Sequence, residues 1–164
     1  MTKTVVVGIG DYNTAASGDL LVTYALGSCV GICLYDPIRK IAGLSHIMLP
    51  TIKDFTDSRM AAQQGKYADT AIELLLRRMV AAGASNIRMR AKIAGGAQMF
   101  ANINNTNLAG IGERNVASVK AELVRLRIPI IAEDTGKDYG RTLYFGSNDG
   151  IMKVKSVNKG EWEY

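Results

Sequence analysis

The stretch Cys29-Val30-Gly31-Ile32-Cys33-Leu34-Tyr35, with the turn Asp36-Pro37-Ile38-Arg39 and the returning segment Ile41 to Leu49, decides the fold of this chain. Its larger apolar residues alternate with smaller ones, which is the period of a β-strand. Pro37 suits the second position of a tight turn, and Pro50 stops the returning segment. The stretch therefore predicts a β-hairpin.

This hairpin holds the chain's one histidine, His46, and both of its cysteines, Cys29 and Cys33. Imidazole exchanges protons near neutral pH, and a cysteine thiolate is a strong nucleophile. The alternative is a core with two packed thiols and a hydrogen-bonded imidazole, because free cysteine is among the most buried residue types. The residues alone leave both interpretations open.

The length of the hairpin loop decides whether Cys29 and His46 meet. A two-residue loop, Pro37-Ile38, would place Cys29 directly opposite His46 on one face. A four-residue loop would make them diagonal neighbours on that same face, and a three-residue loop would put them on opposite faces. Two of these three loops predict a thiol beside an imidazole, the pair that a cysteine hydrolase uses.

Three neighbouring positions refine this hypothesis. The Gly27-Ser28 step ahead of Cys29 suits a backbone whose N–H groups point at a developing oxyanion. Gly31 has no side chain and would leave space beside Cys29 for a substrate chain. Cys33 lies further along the same face, and we expect it to pack without a catalytic role.

The rest of the chain predicts a single domain, residues 1–164, of the α/β (α+β) class. Helical spacing of apolar residues predicts one helix from Lys66 to Gly83 and another over Val116 to Leu126, whereas residues 13–19 and 51–65 are predicted loops. The predicted strands clearly outnumber the two predicted helices, which indicates a mixed sheet or sheets covered by two helices. The predicted strands outside the hairpin are Thr4 to Ile9, Leu20 to Leu26, Ile87 to Ala94, Pro129 to Ala132, Thr142 to Phe145 and Ile151 to Val157.

Composition argues against several classes of function. Twenty Lys and Arg against fifteen Asp and Glu give a net charge of +5, which favours an acidic partner. The basic residues are scattered and no aromatic-basic recognition motif is present, so we expect no nucleic acid partner. The apolar stretches are shorter than the ~20 residues of a membrane span, and the first residues predict a strand and no signal peptide. We therefore expect a cytoplasmic location and no membrane insertion.

A metal site is the rival chemical interpretation of the hairpin. Cys29, Cys33 and His46 offer three ligands, whereas a structural zinc site uses four. Four residues along one strand place the two sulfur atoms roughly 13 Å apart, too far to share one ion. We therefore expect no metal.

The motif Leu26-Gly27-Ser28-Cys29-Val30, followed by Ser45-His46-Ile47-Met48-Leu49-Pro50, resembles the CheD family, the chemoreceptor glutamine deamidases of bacterial and archaeal chemotaxis. The similarity continues in order over nearly the whole chain. Its further motifs are Gly65-Lys66-Tyr67-Ala68-Asp69, Lys92-Ile93-Ala94-Gly95-Gly96-Ala97, Ile111-Gly112-Glu113-Arg114-Asn115 and Ala132-Glu133-Asp134-Thr135-Gly136.

The resemblance implies a three-layer α/β/β fold and an enzyme that converts receptor glutamines to glutamates with release of ammonia. By position in the family motif, Cys29 would be the nucleophile, His46 the general base and acid, and Thr23 the residue that orients the imidazole. No cofactor is implied, because water resolves the thioester. The implied partners are the cytoplasmic domains of chemoreceptors, as substrate, and the phosphatase CheC. The alternatives are a non-catalytic adaptor for receptors or CheC, and hydrolysis of receptor methyl esters.

Two positions depart from the family pattern. Tyr24-Ala25 stands where many members have Leu-Gly, and Lys137 replaces the glycine that usually follows Asp-Thr-Gly. Glycine adopts backbone conformations that other residues avoid. The first departure therefore affects backbone freedom close to Thr23.

Overall fold

Ten strands and two α-helices make up the part of the chain that this computed structural model describes, namely residues 2–54, 63–99 and 110–164. The helices are α1 (Ala68–Ala81) and α2 (Ile111–Arg125). The strands are β1 (Thr4–Val6), β2 (Tyr12–Ala15), β3 (Leu20–Leu26), β4 (Val30–Asp36), β5 (Ile41–Ile47), β6 (Arg90–Gly95), β7 (Ile130–Thr135), β8 (Arg141–Gly146), β9 (Met152–Ser156) and β10 (Gly160–Glu163).

The strands form two mixed sheets of five. The outer sheet has the order β1-β3-β8-β9-β10, and the central sheet has the order β2-β5-β4-β6-β7. Most neighbours are antiparallel, but β1 runs parallel to β3, and β6 runs parallel to β7. Helix α2 supplies the crossover that the parallel pair β6 and β7 requires.

Two hydrophobic cores separate three layers. The alternating large residues of β4 (Val30, Ile32 and Leu34) face helices α1 and α2 in one core. The small residues between them face the outer sheet in the other core, where Cys33 packs in one cluster with Leu143 and Phe145. Strand β4 is thus buried on both faces. The α+β class and the three-layer arrangement are confirmed.

Two edge strands are absent from the sequence prediction. Strand β2 (Tyr12–Ala15) overlaps the predicted loop 13–19, because Asn13 and Thr14 are polar and half-buried and the short segment shows no apolar alternation. Strand β10 is exposed at every position and carries charged residues, as strands at a sheet edge often do. Local hydrophobic pattern does not report such strands, since backbone pairing with a neighbour forms them.

The described ends of the predicted loop 51–65 contain the short 3-10 helices Ile52–Asp54 and Gln64–Lys66. The predicted strand at Ile87 is also corrected at its start. Residues Asn86–Arg88 form a 3-10 helix and Ile87 is exposed, so β6 begins only at Arg90. Residues 55–62 of the polar loop and the asparagine-rich segment 102–107 lie outside the described residues.

The chain changes sheets between β3 and β4. Thr23 belongs to the outer sheet, and Cys29 immediately precedes β4 of the central sheet. The pairing of β3 with β8 is irregular between Thr23 and Leu26. Such a bulge bends a strand locally, and here it directs the chain across the space between the sheets. Cys29, at the start of the central sheet, therefore follows Thr23 of the outer sheet by only six positions.

Candidate active site

The hairpin register places Cys29 and His46 on one face of the central sheet. Asp36 pairs with Ile41, so the loop has four residues, and Gly31 pairs with His46. The prediction from a two-residue loop, with Cys29 directly opposite His46, is therefore wrong. The four-residue loop is confirmed, and extending its register by one residue past Val30 makes Cys29 the diagonal neighbour of His46. Diagonal neighbours in antiparallel sheets are usually separated by ~7–8 Å.

The carboxylate of Asp36 explains the longer loop. It accepts hydrogen bonds from the backbone N–H groups of Ile38 and Arg39 at 3.0 and 3.2 Å, and Arg88 contacts it with two nitrogen atoms. Burial by itself would raise the pKa of Asp36, but these hydrogen bonds outweigh it and hold that pKa well below its ordinary value. Asp36 therefore fixes the turn as a charged cap.

His46 is fully buried between the two sheets, and Thr23 fixes its ring. The Thr23 Oγ1 atom lies 2.6 Å from His46 Nδ1 and 2.6 Å from the carbonyl oxygen of Val7. A carbonyl can only accept, so the single hydroxyl proton of Thr23 goes to Val7. His46 must then donate its Nδ1–H to Thr23. This assigns the tautomer and leaves a lone pair on Nε2.

The Nε2 atom of His46 is buried and has no hydrogen-bond partner among the residues described here. Burial lowers the pKa of His46 to about 4. Thr23 is an uncharged acceptor and gives the imidazolium no compensating negative charge. His46 is therefore neutral at physiological pH, with a basic nitrogen available to a neighbouring proton donor.

Cys29 is half-buried at the mouth of the site, and burial raises the pKa of its thiol, although its own backbone N–H partly opposes this. The resting pair is thus a neutral thiol and a neutral imidazole. Such a pair reacts by proton transfer as the nucleophile attacks, and a preformed ion pair is not required.

Three consecutive carbonyl groups anchor the segment that carries Cys29. The carbonyl oxygens of Gly27, Ser28 and Cys29 accept hydrogen bonds from Ala97 N (2.8 Å), Asn115 Nδ2 (2.9 Å) and Gly96 N (2.8 Å). The N–H groups of Ser28 and Cys29 donate to no other described residue, whereas the N–H of Gly27 is bonded to the carbonyl of Ala25 at 3.0 Å. Of the two residues expected to support an oxyanion, only Ser28 therefore has its N–H free.

Two other predicted features near Cys29 have different outcomes. A Cβ at Gly31 would lie 3.0 Å from Leu143 and 3.2 Å from Leu26, so these side chains fill the space expected for a substrate chain and that expectation is wrong. Cys33 is fully buried, and burial raises the pKa of its thiol far above the ordinary value. Its predicted packing role is confirmed.

Among the described residues, no group of three or more histidine, cysteine or acidic side chains is arranged to hold a metal ion. No α-helix in the described ranges combines the length and apolar character needed to cross a membrane.

Known proteins resemble this chain over nearly its full length. A probable chemoreceptor glutamine deamidase CheD of Caldanaerobacter subterraneus is 48% identical over 97% of this chain and 96% of its own. The chemoreceptor glutamine deamidase CheD of Halalkalibacterium halodurans is 44% identical over 99% of both chains. The family model described as CheD chemotactic sensory transduction matches residues 48–156. The chain belongs to the CheD family.

The full-length relatives matter for the candidate site of this CheD chain, because the segment matched by the family model starts after His46. A probable chemoreceptor glutamine deamidase CheD of Pyrococcus abyssi is 45% identical over 98% of this chain and 96% of its own. Among solved structures, the hypothetical protein YfiH of Bacillus licheniformis matches 77% of this chain and 50% of that chain at 16% identity, and its TM-score of 0.40 is too low to indicate a shared fold.

The two departures from the CheD pattern have left-handed backbones. The φ angle is +59° at Ala25 and +64° at Lys137, a region that glycine enters without strain. Ala25 lies in the bulge between Thr23 and Leu26. This CheD chain thus keeps the glycine-like conformation at both positions without the glycine.

Asn115 is the residue at this site that reasoning from the sequence missed. It is fully buried on α2 and follows the same four-residue spacing as the buried Val119 and Leu123. Helical residues at that spacing share one face. A polar residue in phase with a buried apolar stripe needs a hydrogen-bond partner, and that mismatch is the signal that could have identified it.

Proposed function

We propose that this protein hydrolyses the side-chain amide of glutamine residues in chemoreceptors, giving glutamate and ammonia through a cysteine thioester. Its relatives named chemoreceptor glutamine deamidase support the substrate class. One observation carries the chemistry: Thr23 holds His46 through Nδ1, so the buried Nε2, which has no hydrogen-bond partner among the described residues, is a base on the face that Cys29 shares.

In the first half of the reaction, Nε2 of His46 takes the proton of the Cys29 thiol as the sulfur attacks the amide carbon. The C–N bond then breaks, and the imidazolium of His46 gives its proton to the leaving nitrogen, which departs as ammonia. The product is a thioester between Cys29 and the former glutamine side chain. Thr23 keeps accepting the Nδ1–H throughout and so stabilises the imidazolium orientation.

The attack places negative charge on the amide oxygen, and the Cys29 segment offers donors for it. The N–H groups of Cys29 and Ser28 are free of other described partners, and the three anchored carbonyls hold them in place. Fixed donors aimed at a developing oxyanion lower the barrier because they need no reorganisation. Gly27 contributes by its anchored carbonyl, since its own N–H is bonded to Ala25.

In the second half, a water molecule attacks the thioester carbon while His46 accepts one of its protons. The C–S bond breaks, the sulfur regains a proton from the imidazolium, and the side chain leaves as a carboxylic acid that ionises. The cycle consumes one water and releases one ammonia for each glutamine converted. The chemistry proposed for Cys29 and His46 is complete without a cofactor.

The test measures ammonia release, and the mass change of glutamine to glutamate, on a chemoreceptor cytoplasmic fragment. Cys29→Ala and His46→Ala should each lower turnover by at least about 10³-fold while the chain stays folded. Cys33→Ala is the matched control, because it removes a thiol from the same face of the same hairpin, and it should retain turnover. Turnover by a folded Cys29→Ala variant would refute the assignment.

The same assay separates the alternatives. A thiolate that attacks an amide also attacks an ester, so methylesterase activity would appear as methanol release from methylated receptor. A non-catalytic adaptor would bind receptor or CheC fully and release neither product. Ammonia release that depends on Cys29 supports deamidation over both.

We propose a cytoplasmic location, with receptor cytoplasmic domains as substrate and the phosphatase CheC as a binding partner. The net charge of +5 suits an acidic receptor surface. Receptor affinity should therefore fall as ionic strength rises from about 0.05 M to about 0.5 M, because salt screens exposed charges. An affinity that does not change with salt would contradict this electrostatic contribution.

A further inference from the structure

We propose that Asn115 is a positioning residue, whose side-chain amide holds the Cys29 segment and the end of the His46 strand at a fixed separation. This inference rests on the proposed function for its effect on turnover. Its structural basis is independent, because the amide bridges two residues that lie beyond the last pair of the β4–β5 ladder.

The amide nitrogen of Asn115 donates to two carbonyl oxygens. One belongs to Ser28, at 2.9 Å, and the other belongs to Met48, at 3.1 Å. Ser28 immediately precedes Cys29, and Met48 follows His46 by two residues. One side chain thus contacts the segment of the nucleophile and the segment of the base.

This bridge stands where the pairing of β4 with β5 stops. The last ladder pair is Val30 with Ile47, so Cys29 and Met48 lie beyond it. Cys29 therefore lies just past the end of the β4–β5 ladder, whereas His46 belongs to its second-to-last pair, with Gly31. The two hydrogen bonds of Asn115 replace the ladder at this point and resist separation of the two segments.

Asn115 reaches Ser28 and Met48 because helix α2 packs very close to the segment Gly96-Ala97. A Cβ on Gly112 would overlap the carbonyl oxygens of Gly96 and Ala97, so only glycine lets the helix lie this near the sheet. Gly96 and Ala97 also donate the hydrogen bonds that anchor Cys29 and Gly27. The helix and the nucleophile segment therefore share one rigid support.

The orientation of the amide follows from its surroundings. Both neighbours of Nδ2 are carbonyl oxygens, which only accept, so the nitrogen must face them. Asn115 is fully buried, and water cannot replace these bonds cheaply. An isosteric change that removes the two donors will therefore affect the distance between the segments without changing the packing volume.

The variant that tests this is Asn115→Asp, which keeps the shape and loses both N–H donors. A displacement of about 1 Å between reacting groups costs on the order of 10²-fold in rate. We expect kcat for ammonia release to fall by about 10²-fold with KM within about twofold of wild type. A buried carboxyl has a raised pKa and donates one hydrogen bond when protonated, so the ratio of variant to wild-type activity should rise between about pH 8 and about pH 6.

Ser118→Ala is the matched control. Ser118 lies one turn further along α2, and its hydroxyl donates to the carbonyl of Pro50 at 2.6 Å. It ties the same helix to the same connecting segment without touching the Cys29 segment. Ser118→Ala should therefore leave kcat and the pH profile within about twofold of wild type. A purely structural role for Asn115 predicts that both variants change thermal stability and neither changes the pH profile.

Two outcomes would overturn the proposal. The first is a folded Asn115→Asp variant with kcat within about threefold of wild type, and the second is an equal loss in Ser118→Ala. If Asn115→Asp does not fold, Asn115→Ser is judged by the same kcat and KM criteria.

A failure of the proposed function gives a different result, because wild type would then release no ammonia. In that case, the rate of iodoacetamide alkylation at Cys29 is compared between wild type and Asn115→Asp. A change of about fivefold or more in Asn115→Asp supports the positioning role, and an unchanged rate refutes it.

Discussion

Cys29 and Cys33 have the same side chain on the same face of one hairpin, yet they differ in how deeply they are buried and in the backbone contacts around them. Cys33 pairs with Leu44 in the middle of the central sheet and is fully buried in the core between the sheets. Cys29 lies just before β4, is half-buried and has its backbone carbonyl bonded to Gly96. The distance of four residues along the chain separates a packing group from a candidate nucleophile.

The end of a strand leaves backbone groups and side chains accessible that its middle keeps paired and buried. Inside the β4–β5 ladder, the backbone N–H of each residue is used for strand pairing, and its side chain is enclosed by neighbouring side chains. At Cys29 the ladder has ended, so the N–H groups of Ser28 and Cys29 are left without other described partners while the carbonyls stay anchored. A candidate nucleophile, backbone N–H groups without other described partners, and partial solvent exposure therefore occur at one point.

The largest expected effect is a difference in alkylation between the two thiols. Iodoacetamide should label Cys29 in the native protein at least about 10³-fold faster than Cys33, because Cys33 reacts only when the core opens. Peptide mass mapping after timed labelling measures both rates in one sample. Comparable labelling of the two thiols under native conditions would show that the difference in burial does not control their reactivity.

Thr23→Val should lower turnover by about 10²-fold, because it removes the acceptor for the Nδ1–H of His46 and the donor to Val7. The base then loses its fixed tautomer. Thr23→Ser keeps the hydroxyl and is the control, with turnover within about tenfold of wild type. Cys33 pairs with Leu44 and Lys92 rather than with Thr23 or His46, so its alkylation should not change in either variant. Equal turnover in Thr23→Val and wild type would contradict an orienting role.

The pH dependence of Cys29 chemistry should reflect the low pKa of His46. The base acts in its neutral form, so kcat/KM should fall about tenfold per pH unit below a midpoint of about 4. A midpoint near 6.5 would indicate a solvated imidazole and would contradict the buried geometry.

The stability of the folded chain should also depend on the protonation of His46. Between pH 6.5 and about 4, an unfolded chain protonates His46 and the folded chain does not, so stability is lost as pH falls through this range. His46→Gln, which does not titrate, should flatten that part of the stability curve. Urea unfolding of both proteins at several pH values measures the difference.

The sequence predicts the hairpin and the shared face because alternation fixes which side chains point together. It does not predict the register, since that depends on the Asp36 carboxylate binding two N–H groups of its own loop. It also does not reveal that Leu26 and Leu143 fill the space above Gly31, because those contacts come from another sheet. The alternation of residues in the sequence predicts which side chains share one face of a strand. The residues that pack against that face are determined by tertiary contacts.

Thr23 and Asn115 show the same limit. Thr23 looks like an ordinary strand residue, and only the resemblance to a family assigned it a role. The bulge after it carries the chain to the second sheet, and no local periodicity encodes that crossing. The four-residue spacing of Asn115 with Val119 and Leu123 predicts that its polar side chain is buried. Its hydrogen-bond partners, however, lie on two segments that are distant in the sequence. A buried polar residue can be found from the sequence, and its function needs the fold.

The smallest expected effect concerns the bulge that leads from Thr23 to Cys29. Ala25→Gly should raise the free energy of unfolding by about 0.5 kcal/mol, because relief of the left-handed backbone slightly exceeds the added entropy of the unfolded chain. Lys137→Gly, at the other departure from the family pattern, is the matched variant and should have a similar effect. Denaturant unfolding measures both.

Measurements of turnover show whether the left-handed backbone at Ala25 affects the position of Cys29. If the anchored carbonyls hold Cys29 in place, Ala25→Gly should leave kcat within about twofold of wild type, as should Lys137→Gly. A specific loss of kcat in Ala25→Gly would mean that the stiff alanine backbone itself aims the Cys29 segment. The nucleophile would then depend on the bulge that precedes it as well as on the strand end that holds it.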